Sequence, residues 1–499
     1  MADTHSMLLA AVNTAAFLLC VSFIAYVLLI IVPFVRRRPA PRGDASSLSW
    51  HVIIPCLNEQ AVIEHTVVRL VTTYPQLHVW CVDDASSDET PEIVDRLAKR
   101  YERVHAVARE LPRAQRGKGA ALNAAWHAIS GAQPQSVDRH RVIVGVVDAD
   151  GRLGPDCLEI LAGPDAFAND AVGAVQIQVR MSECVHRGDP PERTSSRMSR
   201  LLVRLQDVEF SSVIAAIQVL RHHIGSVGMG GNGQFTRLSV LDGIADEHGT
   251  PWHGSLLEDL ELGLHVLLAG SRTEYVHDAW VAQQALPSVR QLVRQRSRWA
   301  QGSMQCLRYL WPVLRSPSIS TAGAIEISYF LLLPWLQIAG SVVYAACAVI
   351  MVWYVVTLPG GLAAWFTSGA WGVAPLFVCF GLAPLAIWGP LYRRRAATDI
   401  RRRHAVALGL ANWPYSYVHY AAVWWAFARL VRHRNDWKKT TRFVDTTSRV
   451  HDAVPARAVR RGRICLDHHP STTPSHTVVG KLTTRPHLEW QREEEQCNV

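Results

Sequence analysis

Charge is scarce in this chain. Only 19% of its 499 residues are Asp, Glu, Lys or Arg, below the roughly 25% of an ordinary soluble domain, while 49% are hydrophobic. That shortage argues against a wholly soluble protein and for membrane segments. Paired cysteines are missing as well. Ten Cys are scattered with no C-x-x-C pair, which excludes a zinc-ribbon spacing and a disulfide framework and leaves reduced, buried thiols. No internal repeat is visible. The net charge of +9 is gathered in arginine clusters at residues 36–38, 393–395 and 401–403, each beside an apolar run. Clusters so placed read as cytoplasmic flanks of membrane helices, so nucleic acid is not expected as a partner.

What is present divides the chain. The apolar run 7–34 is long enough to cross a bilayer core of about 30 Å. It lacks the basic lead and small-residue cleavage site of a removable signal. The arginines that follow it place the next segment in the cytoplasm. From about residue 47 to 320 the pattern becomes α/β. Segments 51–55 (HVIIP), 79–82 and 141–147 (RVIVGVV) are apolar on both faces, as buried parallel strands are. Helical patterns at 59–73, 90–101 and 120–129 separate them, giving a βαβ rhythm. Long apolar runs return at 325–358, 371–392 and 405–430. The first, with Glu326 and Pro334, reads as an interfacial helix plus a span or as a hairpin; the last, with Asn412 and Pro414, reads as broken. An even number of crossings keeps the basic run 432–442 cytoplasmic. Residues 446–499 are polar and without apolar periodicity, as a disordered tail is.

Four features carry candidate chemistry. Asp83 and Asp84 close the strand HVWCV, and Asp148 and Asp150 follow RVIVGVV. Carboxylates just past strand tips face the crevice where open α/β sheets bind ligands, and their oxygens suit a hard divalent cation. Helix or turn capping is the plain alternative. Glu258 and Asp259 open a segment with leucines 257, 260, 264 and 268 at helical spacing. There one carboxylate serves either as a general base or as a favourable charge at a helix start. Gln295, Arg298 and Trp299 in QRSRW share one helical face, suited to holding a sugar by ring stacking and hydroxyl contacts or to lying on a membrane surface. Arg116 and Lys118 flank Gly117 before a helix, as solvated residues or as a phosphate attractor. The adjacent pair His222 and His223 points in directions too different for one ion and is assigned a surface or loop role. GMGGNGQFTR at 228–237 fits G-x-G-x-x-G by count but has no βαβ setting, and is read as a flexible loop beside the acceptor. Trp335, Gln337, Trp353 and Tyr354 line a sugar channel or form an interfacial aromatic belt.

Taken in order, IIPCLNE (53–59), VDDASSDET (82–90), GKGAALN (117–123), DAD (148–150), LLEDLELG (256–263), QRSRW (295–299) and DWKKTTR (436–442) resemble the membrane enzymes of glycosyltransferase family 2, the group of cellulose, chitin and hyaluronan synthases. The resemblance implies a GT-A type nucleotide-diphospho-sugar transferase domain, Rossmann-like with a mostly parallel sheet, joined to transmembrane helices. It implies donor contacts at Asp83, Asp84, Lys118, Asp148 and Asp150, with Mg2+ or Mn2+ on Asp148 and Asp150. Asp259 would be the catalytic base of an inverting displacement, and Glu258, Gln295, Arg298 and Trp299 would meet the acceptor. Two departures stand out: the triplet Leu257-Glu258-Asp259 lacks the family's Thr, and Gln283-Gln284-Ala285-Leu286-Pro287 lacks a Glu that many members carry.

The expected organisation is a transmembrane helix with its basic flank (1–46), a cytoplasmic transferase domain (47–320), transmembrane or interfacial helices (321–445) and a tail (446–499). The expected protein is a multi-pass enzyme of the cell membrane that moves a sugar from a UDP-sugar or other nucleotide sugar onto a growing polysaccharide. One alternative is single addition to a lipid acceptor, a polyprenyl phosphate or a glycolipid. Another is a transporter with a nucleotide-sensing domain, against which the candidate base at Asp259 argues.

Overall fold

The computed structural model describes residues 2–182, 196–357, 359–367 and 377–434. The motif DWKKTTR and the expected tail lie outside the described residues. Among the described residues, eight strands form one sheet: β1 (Ser49–Cys56), β2 (His78–Asp83), β3 (Val104–Ala108), β4 (Val142–Val146), β5 (Arg152–Leu153), β6 (Val172–Ser182), β7 (Gln234–Arg237) and β8 (Arg272–Gln284). Their order is β3-β2-β1-β4-β7-β6-β8-β5. The fully buried strands in HVIIP and RVIVGVV appear as expected, one or two residues longer or shorter at each end.

The sheet is mixed but mostly parallel, and β6 and β8 form its longest parallel pair. Strands β1 to β4 pair in parallel, but β7 enters antiparallel to both β4 and β6, and β5 is antiparallel to β8. Residues 228–233, the glycine-rich segment, lead straight into β7. They feed the strand that joins the two halves of the sheet, so this segment is part of the scaffold as well as of the site.

Among the described residues, sixteen α-helices accompany the sheet. The amino-terminal part supplies α1 (Ala2–Arg36), α2 (Ile63–Thr73), α3 (Thr90–Arg100), α4 (Lys118–Ala132) and α5 (Cys157–Leu161). The middle supplies α6 (Arg197–Val208), α7 (Ala215–Ile224), α8 (Leu238–His248), α9 (Glu258–Leu268), α10 (Val289–Gln305) and α11 (Leu310–Arg315). Then come α12 (Thr321–Thr357), α13 (Gly361–Thr367), α14 (Ala383–Ala386), α15 (Trp388–Arg395) and α16 (Arg402–Val431). One face of the sheet packs Val52, Ile54, Val79 and Cys81 under α2 and α3 (Val67, Leu70, Val94, Leu97). The other packs Ile53, Val82, Val144 and Val146 under α4 and α8 (Leu122, Ile129, Leu241, Ile244), and this second core continues into α1 through Ile30 and Phe34.

Among the described residues, two helices are long and apolar enough to cross a membrane by length and composition, Phe17–Arg36 and Thr321–Thr357. They touch where Tyr26 meets Tyr329, ring centroids 4.9 Å apart. The run 325–358 is neither a hairpin nor broken: α12 continues through Pro334, as α16 does through Pro414. The described part of 371–392 is fragmented into a π-helical turn (Val378–Leu382), α14 and α15. Helices α15 and α16 cross so closely that a Cβ on Gly389 would lie 2.1 Å from the Ala405 carbonyl oxygen; only glycine permits that crossing.

Candidate active site

Strand ends assemble the acidic wall. In parallel register Cys56 of β1 lies beside Asp83 of β2. The Asp84 N–H donates to the Cys56 carbonyl at 2.9 Å. Asp83 is buried and its carboxylate accepts the Ser86 N–H at 3.3 Å, so it shapes the turn. Asp84 faces the cavity and is paired with Arg109; burial raises its proton affinity against the pull of that arginine.

Asp148 and Asp150 follow β4, and a tight turn closes with the Gly151 N–H on the Asp148 carbonyl at 2.7 Å. The two take different positions. The Asp148 carboxylate opens on the cavity, with Lys118 Nζ 2.6 Å from Oδ1. Asp150 is buried, and its Oδ2 accepts the Gln284 N–H at 2.9 Å, tying the DAD turn to the end of β8. Oxygen donors so placed fit a hard cation that keeps positions for phosphate and water.

Lys118 opens α4 after Gly117, whose φ of +104° is reachable without strain only by glycine. Its Nζ donates to Asp148 and, at 2.6 Å, to the Gly231 carbonyl. Burial works against its charge, but Asp148, Glu258 and Asp259 outweigh that and push its pKa up. A fixed cation at a helix N-terminus is a ready anion site.

Glu258 and Asp259 open α9 and line the same cavity. Burial, joined by the neighbouring Asp259 charge, raises the Glu258 carboxyl to about 7. Burial also raises Asp259, opposed by Lys118, while the Leu260 N–H donates to its Oδ1 at 2.7 Å. The segment is held from behind by α10. A Cβ on Gly302 would lie 2.7 Å from the Leu257 backbone nitrogen, and the Leu256 N–H donates to Gln305 Oε1 at 3.0 Å. QRSRW and LLEDLELG are therefore one packed unit.

Gln295, Arg298 and Trp299 all reach the cavity from α10, as their shared face predicts. One guanidinium face of Arg296 rests on the Trp299 ring, 4.0 Å from its centroid, and Phe210 meets that ring edge-on at 6.1 Å. Sequence reasoning missed what lies beneath. Arg296 donates to Glu209 Oε2 at 2.9 Å, Tyr415 donates its hydroxyl to the same oxygen at 2.6 Å, and His419 Nε2 is 3.9 Å from Oε1. Burial disfavours the Glu209 charge, but Arg296, His419 and Tyr415 outweigh it and keep the carboxyl below its ordinary range. Glu209 begins a π-helical turn, Glu209–Ile214, a distortion that recurs at functional sites. The available signals were a lone histidine in an apolar run, which is costly in a membrane setting, and the Arg within QRSRW that was not assigned.

The cavity measures about 540 Å³ and continues past Trp299 to Phe330, Leu333, Pro334 and Gln337 of α12 and Ala422 and Val423 of α16. It is polar at the strand tips and largely apolar at the long helices, where Gln337 and His419 stand among Phe330, Leu333, Pro334, Ala422 and Val423. Of the four residues weighed as channel lining, Gln337 lines it, while Trp353 and Tyr354 are exposed on α12 and Trp335 packs edge-on against Phe427. His222 lies 2.5 Å from Glu274 and His223 2.7 Å from the Val219 carbonyl; both sit on α7 rather than in a loop, with separate partners. Gln283 reaches the cavity and accepts from Asn232 at 2.8 Å.

Residues 49–302 match the family model described as glycosyltransferase like family 2. The chain is 29% identical over 309 residues to a beta-monoglucosyldiacylglycerol synthase of Trichormus variabilis, covering 60% of this chain and 59% of that one. It is 25% identical over 300 residues to a poly-beta-1,6-N-acetyl-D-glucosamine synthase of Staphylococcus epidermidis, covering 58% and 64%. The chain thus spans less than two thirds of the length of these relatives. Among solved structures, the mannosyltransferase PcManGT from Pyrobaculum calidifontis, in complex with GDP-Man and Mn2+, superimposes with a TM-score of 0.50 at 19% identity, over 81% of this chain and 99% of that one. That likeness identifies the GT-A type fold.

Proposed function

The chain belongs to glycosyltransferase-like family 2, and from that premise we propose that it transfers a sugar from a nucleotide-sugar donor to the hydroxyl of a membrane lipid. The carrying observation is the single cavity that joins Lys118, Asp148 and Asp259 to the apolar walls of α12 and α16. An oligosaccharide needs polar walls along its length, whereas an acyl-chain lipid is matched by Leu333, Pro334, Ala422 and Val423. The relatives that make a glucosyldiacylglycerol agree with that acceptor class. Polymer synthesis is the second reading, favoured by Gln295, Arg298 and Trp299 standing where a glycan end would stack.

The roles follow from position. Asp84 and Arg109 face the nucleoside end. Lys118, at the start of α4, binds the diphosphate and exchanges its contact with Asp148 for the phosphate oxygens. Asp148, supported by the buried Asp150, would hold Mg2+ or Mn2+, which when bound neutralises charge growing on the leaving diphosphate. Asp259 accepts the acceptor's proton as its oxygen attacks the anomeric carbon from the side opposite the leaving group, inverting configuration. Glu258 lies alongside and presents the acceptor hydroxyl. Trp299, with one face covered by Arg296, offers the other to a sugar or glycerol backbone. The long helices hold the domain against the bilayer on its cytoplasmic side.

Purified full-length protein incubated with a panel of labelled nucleotide sugars, with diacylglycerol in mixed micelles or an oligosaccharide as acceptor, tests the reading. A lipid-extractable product of one added sugar is expected, lost on chelation and restored by Mg2+ or Mn2+. A water-soluble ladder of long products would replace the lipid acceptor by the polymer reading. No transfer to either acceptor from any donor would remove both.

A further inference from the structure

The face of α9 turned away from the cavity carries a second constellation that the transfer reaction does not use. Glu261 and His265 are one helical turn apart and so share a face, and His253 reaches them from the loop before α9. One ligand atom from each lies within 4.8 Å of the others. Glu261 is fully buried and His265 is 4% exposed.

Hydrogen bonds fix which ring atoms are free to ligate. The Tyr309 hydroxyl has one proton and donates it to Glu261 Oε1 at 2.6 Å. Its 2.9 Å contact with His265 Nε2 must then be an N–H donated by the imidazole. The lone pair of His265 is therefore on Nδ1, and that buried atom makes no hydrogen bond to any described residue. An unpaired buried polar atom costs about 1–3 kcal/mol, so its position calls for a partner. By the same reasoning His253 donates Nε2–H to the Thr250 carbonyl at 2.8 Å, which leaves its own Nδ1 as the lone-pair atom. Orienting bonds of this kind, to a carbonyl and to a carboxylate through a tyrosine, are what metal-binding histidines show.

We propose that His253, Glu261 and His265 form a binding site for a zinc-like divalent cation, distinct from the strand-tip acids. Two imidazole nitrogens and one carboxylate oxygen favour Zn2+ over Mg2+ or Mn2+, which prefer all-oxygen sites. Glu261 also accepts from Arg308 and from the Ser255 N–H at 3.2 Å. Arg308 is 57% exposed at its side chain and can turn to solvent when the cation enters. His248, stacked on the His265 ring at 4.6 Å, flanks the site. The cation clips the 249–257 loop to α9, two residues from Asp259, and positions the helix start without touching substrate.

The experiment uses the full chain in detergent, stripped with chelator and then loaded with Co2+ or Zn2+ in the absence of nucleotide. Loaded with Co2+, the protein should show the intense visible absorption of four-coordinate nitrogen-oxygen ligation; a weak six-coordinate spectrum alone would overturn the proposal. Metal analysis after dialysis against Zn2+ should find one equivalent retained by wild type and by Asp148→Asn but not by His265→Gln. Retention lost in Asp148→Asn would place the zinc at the strand tips instead and overturn it, as would equal retention in His265→Gln. Should His265→Gln fail to fold, His253→Gln takes its place, and the wild-type cobalt spectrum decides independently of either.

Discussion

The two ends of the cavity are built by different means. At the strand tips, Asp84, Asp148 and Lys118 come from segments each within a few residues of a strand or helix terminus; parallel pairing aligns the strands of the two aspartates, and the start of α4 brings Lys118 to Asp148. At the helical end, Glu209, Arg296, Tyr415 and His419 come from a π-helical turn, α10 and α16, elements that meet only when the sheet domain docks on the long helices. The first end is a local consequence of strand order. The second is an interface, and its polar groups are satisfied only by partners far along the chain, with Tyr415 and Glu209 separated by 206 positions. Chemistry at one end and placement at the other should therefore fail in different ways when disturbed.

The largest effect belongs to the acidic end, which Asp259 at the start of α9 completes. Asp259→Asn should lower kcat by about 10² to 10⁴, the usual range for loss of a general base, while the donor dissociation constant measured by titration stays close to wild type. A kcat near wild type would move the base elsewhere, with Glu258 the next candidate. At the helical end, Arg296→Met strands the Glu209 carboxylate and should cost roughly 3–5 kcal/mol of stability, read as a lowered melting temperature in detergent. Adding Glu209→Gln to that variant should recover part of the loss, and a double variant no more stable than Arg296→Met would show that the pair is not coupled. Trp299→Ala should raise KM for the acceptor about two- to tenfold, in line with the ~0.5–1.5 kcal/mol of aromatic contact, and leave KM for the donor unchanged; equal changes in both would blur the division between the ends. Smallest of all, Arg42→Ala removes the exposed pairs with Asp156 and Glu159 and should shift stability by less than about 1 kcal/mol, since solvent already screens them. A larger loss would show that the outer surface of the sheet domain is not a neutral control.

Much of the strand-tip end could be read without coordinates, because the information is short in range. A buried apolar strand followed by Asp is written in consecutive letters, as in RVIVGVVDAD. Gln295, Arg298 and Trp299 were placed on one face by counting residues, and they do share the cavity. What escaped depends on distance along the chain. That Asp150 turns inward to Gln284 while Asp148 stays open cannot be told from two aspartates one residue apart. The antiparallel entry of β7 depends on a return from α7 that no periodicity records. The Glu209 network needed α16 in place, and the unbroken course of α12 shows that Pro334 does not end the helix, although a proline inside an apolar run reads as a break.

That unbroken course sets a height. About twenty residues of α12 follow Gln337, and at about 1.5 Å per residue they rise roughly 30 Å, one full hydrocarbon thickness. Many of them, among them Val342, Val349, Val352 and Val356, are exposed apolar side chains. With that stretch immersed, Gln337 stands at the hydrocarbon boundary, and Leu333 and Pro334 extend the apolar lining one turn towards the strand tips. A lipid entering between α12 and α16 would then leave most of its chains at their own depth, with the first methylenes against Leu333 and Pro334 and the hydroxyl reaching Asp259.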